Sequence, residues 1–209
     1  FLNKRDAFLF KMYQAFGHHF DFIAIPIIKK RLRMDTSQVI INEERPQLTK
    51  HLATRFKEKI GQNVNLLGEV VLGNGEADHR YHHYLEALES PDINYISVKI
   101  SGIYAQTHAL NYEESFPELV SRMSALYQKA IDFPYTDEDG IKRSKFINLD
   151  MEEYKDAHFT LRLFKAVLNL PQFKNYSAGI VVQAYLPDAY DFQTELLEFA
   201  KARVDGGGA

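Results

Sequence analysis

Residues Phe146-Ile147-Asn148-Leu149-Asp150-Met151-Glu152-Glu153 make a short apolar run that ends abruptly in acids, and this stretch restricts the fold more than any other. In a buried parallel strand the middle is apolar. Polar chemistry is pushed to the carboxyl end, where the loop into the next helix opens onto a site. Three further runs share the design: Val64-Asn65-Leu66-Leu67-Gly68-Glu69, Tyr95-Ile96-Ser97-Val98-Lys99-Ile100-Ser101 and Ala178-Gly179-Ile180-Val181-Val182-Gln183-Ala184-Tyr185. Each delivers one conspicuous polar side chain at or near its end, so the four runs offer Glu69, Lys99, Asp150 and Gln183.

Helical periodicity fills the gaps between the runs. Ala77, Tyr81, Tyr84, Leu85 and Leu88 make one face, closed by Pro91. Phe116, Leu119, Val120, Met123, Leu126, Tyr127 and Ala130 make the next, with Pro117 expected in its first turn. Glu152 and Glu153 suit a helix N-terminus ahead of Phe159, Leu163, Phe164, Val167 and Leu168. Phe192, Leu196, Phe199 and Ala200 close the series. Strand and helix alternate four times, which implies a parallel sheet with right-handed crossovers. A small doubly wound sheet would carry a Gly-x-Gly-x-x-Gly turn, and the glycines at 68, 73 and 75 do not form one. Polar residues at the end of every strand favour a TIM-like (β/α)8 barrel, of which residues 62–209 hold about the first four βα units. Residues 1–61 read as a helical lead-in: Phe8, Met12 and Phe16 recur at helical spacing, and a second face carries Leu48, Leu52, Phe56 and Ile60, with Gly61 as its stop. Val39-Ile40-Ile41 is too short to be read as a strand. Residues 133–143 read as an exposed insertion, with Asp137, Glu138 and Asp139 as solvated acids.

With 209 residues there is room for one domain with a sizeable core. A net charge of −3 argues against nucleic acid as the main partner. The absence of cysteine removes disulfides, thiolate catalysis and Cys-ligated metals. The apolar run from Phe20 to Ile28 contains Asp21 and Pro26 and falls far short of the ~20 residues of a membrane span. The chain opens without Met or a secretory pattern and closes in Gly206-Gly207-Gly208-Ala209, so it is expected to be part of a longer one.

Lys99 sits in an apolar, β-branched run, and an unpaired ammonium buried there would cost several kcal/mol. It is either a strand lysine at a wet sheet edge or a group aimed into a polar cavity. In the second case it could be a Schiff-base nucleophile or an electrostatic clamp. Asp150 is either a site carboxylate or the N-cap of the following helix. Glu69 is a site acid or a loop acid, and Gln183 a ligand-facing or a core amide. His79, His82 and His83 have a spacing that can pair imidazoles, but on an outer helix surface histidines are the simpler reading, and no metal is expected.

At these four runs the chain resembles the proline dehydrogenase family, including that domain of the bifunctional proline utilization A enzymes. The matching stretches are Leu66-Leu67-Gly68-Glu69, Ile96-Ser97-Val98-Lys99-Ile100-Ser101, Ile147-Asn148-Leu149-Asp150-Met151-Glu152-Glu153 and Val181-Val182-Gln183-Ala184-Tyr185. The resemblance implies FAD-dependent oxidation of L-proline to Δ1-pyrroline-5-carboxylate, with electrons passed to a membrane quinone. It places Lys99 and Asp150 among the catalytic residues, Gln183, Val181 and Met151 at the flavin, and Glu69 with Lys99 at the substrate and its gate. The family's flavin-N5 arginine and carboxylate-gripping arginine pair have no counterpart here, so residues 1–209 alone are expected to be inactive and to hold little FAD, and the open edges of a half barrel are expected to make them self-associate. A cytoplasmic location is implied, peripheral at the inner (cytoplasmic or mitochondrial) membrane, with a downstream aldehyde dehydrogenase domain in bifunctional members. The alternative from the residues alone is a barrel lyase or aldolase using Lys99 as Schiff-base nucleophile.

Overall fold

The computed structural model describes residues 7, 8, 11, 13, 14, 21–36, 40, 41, 45–66, 71, 73–105 and 111–209. The chain divides into two compact units, Phe1–Ala53 and Thr54–Ala209. In the first unit, helix α1 (Asp21–Thr36) contains Pro26 and buries none of its side chains. Of the positions expected to be helical ahead of it, Phe8 is helical, while Met12 and Phe16 lie outside the described residues.

Helix α2 (Arg45–Lys57) ends without help from Gly61. Lys59 takes the left-handed conformation (φ 59°). The amides of Lys59 and Ile60 then bond back to the carbonyls of Phe56 and Arg55, both at 3.0 Å. That is a Schellman stop built on a lysine, a cost usually avoided by glycine. Ile60 therefore falls outside the helix that its spacing had assigned it to.

The second unit follows the strand-helix alternation. It runs through β1 (Val64–Asn65), α3 (Asn74–Glu89), β2 (Tyr95–Lys99), the single turn α4 (Ile100–Ile103) and α5 (Tyr112–Asp132). A hairpin of β3 (Tyr135–Thr136) and β4 (Lys142–Arg143) follows, then β5 (Phe146–Asp150), α6 (Ala157–Leu168), β6 (Gly179–Ile180) and α7 (Ala189–Asp205). The four main strands pair in the order β1-β2-β5-β6, every pair parallel. Sequential neighbours in a parallel sheet with helical crossovers are the arrangement of successive units in a (β/α)8 barrel.

The strands are shorter than their runs. Ile100 and Ser101, expected to extend β2, turn into α4, and β6 holds only Gly179 and Ile180 of its expected eight-residue run. Pro117 lies inside α5, because that helix begins at Tyr112 and not at the proline. Residues 133–143 are an ordered hairpin. Asp137 accepts the amides of Asp139 (3.0 Å) and Ile141 (2.8 Å) and pairs with Arg143. These contacts hold its carboxyl below the ordinary aspartate range, Arg143 contributing most.

One face of the sheet is apolar. Ile96, Val98, Ile147 and Leu149 are each at most 1% exposed, as are Tyr84 and Leu88 of α3, Leu119 and Met123 of α5 and Leu163 and Val167 of α6. A further cluster joins Met151 to Ala157, Leu161 and Phe192, with Ile180 and Val182 packed against it. These residues occupy alternate strand positions, so the core is the sheet-helix layer on that side.

Candidate active site

The other parity of the same strands is polar. On this face stand Asn63 and Asn65, Ser97 and Lys99, Asn148 and Asp150, with Tyr95 and Phe146 meeting edge to face at the amino end (ring centroids 5.0 Å apart). The register places Asn65 beside Ser97, Ser97 beside Asn148, and Lys99 beside Asp150. Side-chain bonds run across the strands: Asn63 Nδ2 donates to Ser97 Oγ at 2.9 Å. Gly179 belongs to this wall for a steric reason. A Cβ there would lie 2.5 Å from Asn148 Oδ1 and 3.0 Å from the Phe146 ring.

Two separate charge arrangements top the wall at the carboxyl ends of β2 and β5. Asp150 is held by amides on both oxygens, Asn148 Nδ2 on Oδ1 at 2.9 Å and Asn65 Nδ2 on Oδ2 at 3.4 Å. Lys99, although its register partner is Asp150, pairs with Glu152, Nζ to Oε1 at 3.1 Å. The second Glu152 oxygen accepts the Ser101 hydroxyl. The Glu152 carbonyl accepts Gln183 Nε2 at 3.1 Å. Glu152 thus links the ends of β2, β5 and β6.

The loops are fixed nearby. A 3₁₀ turn (Tyr154–Asp156) separates Glu152 and Glu153 from α6, whose N-cap is Asp156. Neither glutamate opens that helix, as their position had predicted, and Asp150 is not its cap. The Tyr154 hydroxyl bonds to Asp188, the N-cap of α7, and so joins the loop after β5 to the loop after β6. Behind β2, Tyr84 is fully buried, and burial pushes its phenol up to about 12.

Lys99, Asp150 and Gln183 therefore come together at one end of one sheet face. Glu69 lies outside the described residues. Val181 shares the parity of Gly179 and Gln183 and is 37% exposed; its amide bonds to the Leu149 carbonyl at 2.9 Å. The Met151 side chain packs in the apolar layer, away from the polar wall on which its expected place at a cofactor would lie. Sequence reasoning missed Glu152 as a partner of Lys99, and it missed the wall of Asn63, Asn65, Ser97 and Asn148. The signal was present: polar residues recur at every second position of each run, the period of a strand with one polar face. His79 and His83 stack with ring centroids 4.4 Å apart, and His82 Nδ1 lies 2.6 Å from the Asp78 carbonyl. Among the described residues, no three His, Cys, Asp or Glu side chains are grouped to hold a metal ion.

A planar redox cofactor needs an apolar floor, amide contacts at its edge and a nearby cation, and this face offers Val181, Gln183 and Lys99. The residues present fit such a group. The proline dehydrogenase family model matches residues 48–207. Among solved structures, the chain is 36% identical to proline utilization A of Corynebacterium freiburgense, with a TM-score of 0.76 over 94% of this chain. It is 29% identical to the Bdellovibrio bacteriovorus protein inactivated by N-propargylglycine, with a TM-score of 0.72 over 85% of this chain. A Bradyrhizobium japonicum relative at 24% identity and TM-score 0.57 shares the fold. The chain spans 20% of the length of each of the first two solved chains. No curated protein matches it significantly.

Proposed function

The chain belongs to the proline dehydrogenase family, and from that premise we propose that it forms part of the active site of a flavoprotein oxidising L-proline to Δ1-pyrroline-5-carboxylate. The observation that carries this reading is the placing of Lys99 and Asp150 side by side at the carboxyl ends of β2 and β5, beside the Gln183 amide. FAD, when bound, supplies the acceptor for the hydride lost from the ring carbon next to nitrogen. Gln183 and Val181 hold its ring system. Lys99 draws the substrate carboxylate, and Asp150, its oxygens already fixed by Asn65 and Asn148, stays in place through the reaction. Glu69 is assigned to the substrate gate on the resemblance alone. Quinone reduction at a membrane surface and a fused aldehyde dehydrogenase domain belong to the same proposal. Among the described residues no helix is long and apolar enough to cross a membrane.

The pairing of Lys99 with Glu152 suits an electrostatic clamp. A Schiff-base lysine attacks as the neutral amine, and a carboxylate partner favours the ammonium, so the lyase reading is the weaker of the two. The test is Lys99→Met in the flavin-loaded full-length enzyme, followed by stopped-flow bleaching of the flavin with L-proline. Losing a charge aimed at the reacting groups should slow reduction about a hundredfold. A wild-type rate would remove Lys99 from the chemistry, and borohydride trapping of a carbonyl substrate on Lys99 would favour the lyase.

A further inference from the structure

The two carboxylates at the top of the wall are held in different ways. Asp150 is gripped on both oxygens by neutral amides, while Glu152 is gripped by the Lys99 ammonium and the Ser101 hydroxyl. The Glu152 main chain is fixed separately, through its carbonyl and Gln183. Its side chain can therefore leave without unravelling the loop. It is also wet: the Lys99 and Glu152 side chains are 27% and 33% exposed, and ion pairs of that kind are weakly held. An ammonium offers three donors and takes a carboxylate as a point charge, with no fixed fork that would select one partner.

We propose that Glu152 is the resident counter-ion of Lys99, displaced when the carboxylate of a small cyclic acid arrives, and so the residue that limits how tightly this site takes an anion. The inference rests on the carboxylate-binding role proposed above for Lys99. While Glu152 occupies the ammonium it keeps Lys99 extended along the wall and screens it from adventitious anions. A substrate acid must compete with it, and the two negative charges repel across the same cation. Glu152 is a positioning residue in this scheme and does not touch the reacting carbon.

The test is Glu152→Gln in the full-length enzyme purified with its flavin. Calorimetric titration uses cyclopentanecarboxylate, which keeps the acid and cannot form an imine, beside its neutral carboxamide. The carboxylate should bind about fivefold tighter to the variant and the carboxamide with unchanged affinity, because only the first competes for Lys99. The KM for L-proline should fall by a similar factor. In the absence of ligand, acetylation of Lys99 by acetic anhydride, read by peptide mass, should quicken about threefold once its partner is uncharged. Ser101→Ala, which removes one anchor of Glu152 and no charge, should shift carboxylate binding about twofold in the same direction and serves if Glu152→Gln fails to fold. Unchanged or weakened carboxylate binding in these variants, or an equal shift for acid and amide, overturns the proposal. Flavin that proline does not bleach in the wild-type full-length enzyme would overturn the proposed oxidation instead, a result the acid-amide comparison does not share.

Discussion

Gly179 has the strictest steric requirement on the polar wall. A methyl group there meets Asn148 Oδ1 at 2.5 Å and the Phe146 ring at 3.0 Å, so one of the neighbours has to move. Asn148 is the one that can, and its amide is a holder of Asp150. Gly179→Ala is therefore expected to cost about 1–3 kcal/mol and to weaken the hold on Asp150. Urea unfolding should show the first effect. Proline-dependent flavin reduction, slowed more than stability alone explains, should show the second. The residues that line this end were unevenly legible in the sequence. Lys99 and Asp150 stood out because a charge inside a β-branched run has few destinations. Glu152 did not, since an acid two residues past a strand reads equally well as a helix-start acid. Only the 3₁₀ turn at Tyr154–Asp156, which no local pattern announces, separates the two readings.

The element that couples the two ends of the sheet is β5, and its entry carries a second unusual lysine. Lys145 is 2% exposed, its Nζ bonds to the Ser90 carbonyl at the end of α3, and the Lys145 carbonyl accepts the Tyr176 hydroxyl at 3.0 Å. Burial lowers its pKa to about 8, against a smaller opposing pull from Asp92. The ordinary lysine value is about 10.4, so between the two values the unfolded chain binds the proton that the folded chain has released. Stability with respect to this group therefore rises with pH from about 8 upward and is level below. The buried phenols of Tyr84, Tyr127 and Tyr176, raised by burial, act in the opposite sense above about pH 10. The useful quantity is the difference between wild type and Lys145→Met. The wild type should gain ~2 kcal/mol relative to the variant as the pH is raised from about 8 to about 9.5, and parallel unfolding curves across that range would exclude the effect. Element order was largely readable from periodicity. Element ends were not, because they are set by features such as the left-handed Lys59, the start of α5 ahead of Pro117, and the turn of Ile100 into α4.

At the scale of the whole molecule, the described sheet has β1 and β6 at its two edges, each offering only two registered residues to its single neighbour. Edges with unpaired backbone groups seek partner strands. The 209-residue chain expressed by itself is therefore expected to associate, to retain little flavin and to show no proline:dye activity. Light scattering after size exclusion checks the first, and a monomer holding stoichiometric, proline-reducible flavin would refute all three. The two faces of the sheet also have a genetic consequence. Along β5 the apolar Ile147 and Leu149 alternate with Asn148 and Asp150, so losing one codon inside the strand would send the strand side chains beyond it to the opposite side, an acid into oil or a leucine into the polar wall. Losing two would restore the sides and shift only the register. Length variation in this lineage should therefore collect in the hairpin between β3 and β4, while the strands tolerate change by substitution and by even steps alone.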